Sequence, residues 1–373
     1  MTDTVGLYLH IPFCKRKCLY CDFCSYVGRE GDMHAYVDAL LREMRAHPLA
    51  GRTVSTVYLG GGTPSLLPGE ELARLLAGVR ECYTVDPVAE ITCEVNPCTA
   101  DYDKLSLLKS IGVNRISMGV QSLSDRALAA IGRLHTASDA VAAYALARRV
   151  GFTNISLDLM TGLPGETPEE LAATVCGILD LGPEHISAYA LTVEERTPLA
   201  TSPLRATLPD EDAAADAMEQ TAAALSAAGY RRYEISNYAR PGYESRHNIA
   251  YWQGREYLGL GIAAYSYLDG VRFGRPRSLG AYLAGEALPE IDREELTAAD
   301  LEAERVMLSL RLADGIDCAA YRRDFGRDPA ALLADVITRY PYCFAVSPGA
   351  IALTPRGMSV SNPLIAECLL AIE

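Results

Sequence analysis

Val5-Gly6-Leu7-Tyr8-Leu9-His10-Ile11-Pro12-Phe13-Cys14-Lys15-Arg16-Lys17-Cys18-Leu19-Tyr20-Cys21-Asp22-Phe23-Cys24 is the stretch from which the rest of the chain is read. Its first part, Val5–His10, is β-rich, and its second gathers four cysteines into eleven residues. A strand running directly into such side chains predicts a site at a strand's C-terminal end, where α/β barrels keep their chemistry. Outward from it the same unit repeats. Further strands are predicted at Val54–Leu59, Glu90–Val95, Asn114–Val120, Asn154–Met160 and His185–Leu191. Helical stretches follow at Met33–Ala46, Gly69–Cys82, Asp101–Ser110, Ser138–Val150, Thr167–Leu181 and Asp210–Ala228. Thr167-Pro168-Glu169-Glu170 reads as an N-cap, a first-turn proline and acids at the positive end of the helix dipole. Six strand–helix pairs in series predict a parallel sheet with right-handed crossovers: an α/β fold, a partial (β/α)6 TIM-like barrel.

The unusual residues fall where that fold puts its chemistry. Gly60-Gly61-Gly62-Thr63-Pro64 follows the second strand, and Glu94, Gln121 and Asp158 lie at or just past the ends of the next three. After about residue 235 the alternation stops. A polar, aromatic connector, residues 236–296, holds Arg246-His247-Asn248-Ile249-Ala250-Tyr251-Trp252 with the only tryptophan of the chain. Residues 297–373 read as helices around a small hairpin, Cys343–Val346 with Ala350–Leu353, which predicts a smaller α+β, winged-helix-like domain. Residues 1–235 form the expected barrel domain.

Composition excludes several classes. Across 373 residues, 48 acids against 34 basic residues leave a net charge of −14, which argues against a nucleic-acid partner. The C-terminal part carries 11 acids against 7 arginines from Glu295 onward, so its winged-helix pattern does not predict DNA reading. The longest apolar run, Tyr257 to Leu268, is too short for a membrane span. Eleven cysteines in a long, apolar-rich chain without a secretory leader predict free thiols and a cytoplasmic location.

Cys14-x3-Cys18-x2-Cys21-x2-Cys24 places thiolates three and four residues apart, a compact run that suits an iron–sulfur cluster. Structural zinc is the alternative, although it takes two ligand pairs and no second pair stands at a suitable distance. Lys15, Arg16 and Lys17 would offset the negative charge of a thiolate-ligated cluster.

Tyr8-Leu9-His10-Ile11-Pro12-Phe13-Cys14, with Cys18-Leu19-Tyr20-Cys21-Asp22-Phe23, resembles the signature of the radical S-adenosylmethionine (SAM) superfamily. The group it resembles is that of the oxygen-independent coproporphyrinogen III oxidases. The resemblance implies a [4Fe–4S] cluster on Cys14, Cys18 and Cys21, with the fourth iron open to SAM. It also implies that SAM meets Gly61, Gly62 and Thr63 of the glycine motif, Glu94 of Glu94-Val95-Asn96-Pro97, and Gln121 of Gly119-Val120-Gln121-Ser122. Arg133 of Gly132-Arg133-Leu134-His135 would face its carboxylate, Asp158 its ribose or adenine, and Tyr8 its sulfonium. Each has a plain structural alternative: a glycine turn, Asp158 capping the next helix, Glu94 paired with an arginine.

Within that group the chain resembles the haem chaperones more than the coproporphyrinogen III dehydrogenases. Phe23 stands where the dehydrogenases carry a further cysteine, and His247-Asn248-x-x-Tyr251-Trp252 matches a haem-binding motif of the chaperones. The implied role is to bind haem through His247 and deliver it to haem-requiring apoproteins, membrane-associated ones included. An electron donor and a homodimer belong to the same expectation, and porphyrin biosynthesis by an enzyme is the alternative. The structural alternative for His247 is a hydrogen-bonded histidine within a packed connector. Two positions depart from the chaperone pattern: Cys24 replaces asparagine, and Tyr265 replaces a histidine.

Overall fold

A computed structural model describes residues 4–285 and 289–372. Six parallel strands form its centre in chain order: β1 (Thr4–Ile11), β2 (Thr53–Gly61), β3 (Thr84–Val95), β4 (Arg115–Gln121), β5 (Ile155–Thr161) and β6 (His185–Ala190). The helices between them include α1 (Met33–Ala46), α2 (Gly69–Cys82), α3 (Tyr102–Ser110), α4 (Asp125–Ala130), α5 (Ala137–Val150) and α6 (Pro168–Leu181). They pack their apolar stripes on the outer face of the sheet. Leu7, Leu9 and Ile11 of β1 point into that layer with no exposure, beside Leu40, Leu72, Leu105 and Ile178. At about 25 cal/mol per Å² of apolar surface, this layer is the main source of stability for the barrel unit. Caps stop the helices cleanly. Thr167 and Glu170 form a capping box on α6 with Pro168 in its first turn, and Gly182 ends it at φ +68°.

The sheet stays open, so the barrel is partial: β1 and β6 do not pair, and each is flanked by connector or antiparallel strands. Beyond β6 lie β7 (Arg231–Arg232) and β8 (Asn237–Ala239). Beyond β1 lie β9 (Tyr257–Leu260), parallel to it, then β10 (Tyr265–Leu268), β11 (Val271–Gly274) and β12 (Ile291–Glu295), antiparallel. Residues 236–296 thus contribute strands to the main sheet. The C-terminal part has its own core, in which Val306, Leu310, Tyr321, Ile351 and Ile365 are buried. It contains a three-stranded antiparallel sheet of Ile316–Asp317, Phe344–Val346 and Ala350–Leu353. Among the described residues no helix is long and apolar enough to cross a membrane.

Candidate functional site

Strand alternation puts polar side chains on the inner face of the sheet, and these converge on one cavity of about 690 Å³. Tyr8 and His10 enter it from β1, Glu94 from β3, Ser117 and Gly119 from β4, Asp158 from β5 and Tyr189 from β6. Residues from five separate strands lining one cavity make this face concave.

The cysteine loop closes the cavity's upper end. Two backbone bonds pinch its base, Cys14 N–H to Tyr26 O (2.9 Å) and Tyr26 N–H to Pro12 O (2.7 Å). Leu19 at its tip donates to Ile131 O (3.0 Å) and accepts from Leu199 N–H (2.9 Å). The Tyr26 hydroxyl donates to the Arg277 carbonyl (2.7 Å), which ties the loop to the connector. Cys14, Cys18, Cys21 and Cys24 all reach the cavity wall as free thiols. Burial raises the pKa of Cys14 and Cys21, and the neighbouring thiols of the Cys14, Cys18, Cys21 trio add to it. Cys24 stands outside that mutual effect: burial raises its thiol, Arg277 and Lys17 pull it down, and its sulfur lies 4.0 Å from the Arg277 carbonyl.

The glycine motif docks on this loop. Gly62 N–H donates to Ile11 O (2.9 Å) and Thr63 N–H to Phe13 O (2.8 Å). A Cβ on Gly62 would lie 2.7 Å from the Phe13 carbonyl, and one on Gly61, at φ +113°, 2.6 Å from the His10 ring. Both glycines are thus required by protein neighbours as well as lining the cavity. The Thr63 hydroxyl lies 3.7 Å from the Cys14 sulfur.

Glu94 accepts from the Tyr58 hydroxyl (3.0 Å) and from Gly61 N–H (3.1 Å), not from an arginine. Burial raises its carboxyl to about 7, with Asp158 adding to the effect. Asp158 accepts from the Ser117 hydroxyl (3.3 Å) rather than capping a helix, and burial raises it to about 6. Gln121 ends β4 at φ +71°, a left-handed conformation costly for a side-chain-bearing residue, and its Oε1 accepts from the Tyr189 hydroxyl (3.1 Å). Arg133 places Nη1 3.7 Å from the Cys18 sulfur, donates through Nη2 to the Gly119 carbonyl, and leaves a buried Nε without a partner.

Several contributors were not marked by the sequence reading. His10 bridges the loops: the Cys24 carbonyl can only accept from Nε2 (2.8 Å), so Nδ1 accepts from the Tyr8 hydroxyl (3.0 Å). A Cβ at Gly119 would come within 2.9 Å of Gln121 Nε2 and 3.2 Å of Arg133 Nη2, so its bare backbone makes room for both. Ser117, Tyr58 and Tyr189 were also overlooked, although each sits at an inward position of an expected strand.

His247 lies elsewhere. Residues Arg246–Trp252 form a short helix capped by Ser245, which tucks His247 under the sheet at 2% exposure. Its Nδ1 is 2.8 Å from the Thr56 hydroxyl and its Nε2 is 3.1 Å from the Tyr251 hydroxyl, while the ring stacks on Tyr58. Both ring nitrogens are engaged, as the structural alternative anticipates, and the ring does not line the cavity that the thiols border. Tyr265 is exposed and donates to Asp292 (2.6 Å).

Cys14, Cys18 and Cys21 suit an iron–sulfur cluster in their chemistry, as soft thiol donors that share one cavity wall. Among the described residues no group of three or more His, Cys, Asp or Glu side chains is gathered closely enough for a single metal ion. The thiols instead border an open cavity, with the Arg133 Nε orphaned beside them. Residues 8–175 match the radical SAM superfamily, and residues 296–360 match the HemN C-terminal domain. The heme chaperone HemW of Mycobacterium tuberculosis is 38% identical over 98% of this chain and 94% of its own length. The chain belongs to the HemW family. HemW of Bacillus subtilis is 34% identical over 97% of the chain and 98% of its own length, and HemW of Escherichia coli 39% over 83% of each. The fold is also similar to the solved coproporphyrinogen III oxidase HemN of Escherichia coli, a radical SAM enzyme. That likeness has a TM-score of 0.86 and 27% identity, and covers 98% of this chain and 89% of the other. The family thus agrees with the resemblance drawn from the cysteine and glycine motifs, and radical SAM membership implies a [4Fe–4S] cluster and SAM.

Proposed function

We propose that the protein is a haem chaperone, which binds haem and delivers it to haem-requiring apoproteins in the cytoplasm or at a membrane surface. The observation that carries this reading is the near full-length similarity to proteins named heme chaperone HemW. In the proposal Cys14, Cys18 and Cys21 hold the cluster, leaving one iron for SAM, and Cys24 is a bystander. When bound, the cluster supplies one electron to the sulfonium of SAM. Arg133 is the partner for the SAM carboxylate, since its orphaned Nε and fixed fork match that group. Glu94 and Asp158 take the ribose hydroxyls as acceptors; Gln121, with Tyr189 behind it, orients the adenosyl part; Tyr8, held by His10, bounds the sulfonium end. Gly61, Gly62 and Thr63 complete the wall beside Cys14.

Haem is the cargo in this reading, and the helix Arg246–Trp252 is its proposed docking element. Ligation by His247 requires the Tyr251 hydroxyl to release Nε2, and burial keeps the ring neutral, the form that binds iron. An electron donor and a homodimer complete the proposal. The likeness to HemN favours a second reading, oxidative decarboxylation of coproporphyrinogen III. Anaerobic reconstitution, followed by SAM with coproporphyrinogen III in one arm and haem in the other, separates the two. The chaperone reading expects no protoporphyrinogen and a haem absorption band that weakens in His247→Ala. Turnover at enzymatic rates overturns it, and an unchanged band removes His247 from the haem site.

A further inference from the structure

Arg115 is the first residue of β4 and is 2% exposed. It occupies an inward position: β4 pairs Arg115 with Thr92 of β3 and, two residues on, Ser117 with Glu94. Toward β5, Gly119 pairs with Asp158. Each inward step rises about 7 Å along a strand. Arg115 therefore lies one step below Glu94 and two below Asp158, on the strand that separates theirs. An arginine this deep is expected to be paired. Here Nε has no hydrogen-bond partner, and no carboxylate stands within ion-pair distance among the described residues.

The obvious candidate partner is already engaged. Glu90, a step below Thr92 on β3, spends both oxygens on the backbone N–H groups of Arg246 (3.0 Å) and His247 (3.1 Å). The other titratable groups around Arg115 are neutral: His185 from β6 and His247 have pKa values lowered by burial first and by Arg115 second. Tyr233 and Tyr58 also face Arg115, and burial raises both phenols. Glu94 itself is faced by Tyr58 from β2, Tyr8 from β1 and Tyr189 from β6, whose phenols desolvation raises, and by Asp158. The second cation near Asp158, Arg133, is turned to Cys18 and the Gly119 carbonyl.

We infer that Arg115 is a positioning residue, the counter-cation of the Glu94–Asp158 pair, which acts from beneath the cavity so that both carboxylates can be charged together when a polyhydroxylated ligand binds. The inference rests on the proposed ribose role of the two acids only for its purpose; the charge coupling stands on the placement of the three residues. It has a physical basis in the low dielectric of the strand interior, where an unpaired cation acts over several ångströms without contact. Burial is what raises both carboxyls, and Arg115 opposes that rise at each of them.

The test is a carboxyl 13C titration of the full chain labelled at aspartate and glutamate, with signals assigned by Glu94→Gln and Asp158→Asn. Arg115→Met is expected to raise the apparent pKa values of the pair by at least about one unit, and Arg115→Lys to leave them near wild type. Unchanged titration in Arg115→Met overturns the inference. If that variant fails to fold, Arg115→Met/Asp158→Asn decides: recovery of folding supports charge balance, and continued failure identifies a steric prop and overturns it. Calorimetry of SAM with the wild-type protein runs in parallel. Absence of SAM binding there defeats the ribose role of Glu94 and Asp158, while the titration still decides Arg115.

Discussion

Gly62 shows how narrowly single residues are constrained here. An added Cβ would meet three backbone atoms at the junction of the cysteine and glycine loops, at 2.7–3.0 Å, and backbone yields less readily than a side-chain tip. Gly62→Ala is expected to cost about 1–3 kcal/mol and to lower the iron content after reconstitution. Gly280→Ala, with nothing within 4 Å of its Cβ, serves as the control, and equal iron and equal melting for both variants would contradict the expectation. At this scale the site was legible wherever a residue type has few other uses. Four closely spaced cysteines and a triple glycine are such signals. His10 was not legible, because one histidine in an apolar strand reads as core until its contacts with Tyr8 and Cys24 are seen. His247 was legible as a motif but not in its placement, since nothing local records that Thr56 and Tyr251 meet its ring.

Among the elements, one carboxylate of α1 gathers three hydrogen bonds from the connector, beside the Tyr36 hydroxyl that accepts from Ile262 N–H (3.2 Å). Glu43 receives Arg275 Nε (2.9 Å), the Tyr282 hydroxyl (2.7 Å) and Gly261 N–H (2.8 Å), with both charged side chains largely buried. Removing one partner of such a set strands the other charge, so Glu43→Ala is expected to lose about 3–5 kcal/mol in urea denaturation. A loss below about 1 kcal/mol would mean that water replaces the carboxylate. The six central strands were legible from their runs of Val, Ile and Leu, with ends placed within a residue or so, except that β3 begins earlier, at Thr84. The flanking strands were not. Residues Tyr257–Leu260 are short, and their identity as a strand comes from pairing with β1, some 250 positions away in the chain, which no local pattern encodes.

Over the whole molecule, the polar cavity makes stability depend on pH. In the fold Glu94 keeps its proton to about pH 7, whereas its ordinary value is 4.5. The folded state therefore binds more protons between these values. The contribution of Glu94 is fully present below about pH 4.5 and is lost as pH rises to about 7. The shift corresponds to about 3 kcal/mol, reduced to about 2 kcal/mol by water in the open cavity. Glu94→Gln is expected to flatten the fall in unfolding free energy between pH 5 and pH 8, measured with urea, and an unaltered slope would place the proton elsewhere. The net charge of −14 gave no hint of this, because it counts every acid as ionised wherever it sits.

The anchoring of the cysteine loop has a temporal consequence. Its cysteines precede in the chain the groups that hold the loop, Ile131, Leu199 and the Arg277 carbonyl, which come from successively later segments. On a ribosome, the thiols would emerge long before the backbone that shapes their loop. The final shape of the loop is thus tied to synthesis through Arg277, and a product truncated before that residue would carry the cysteines without the fully tethered loop.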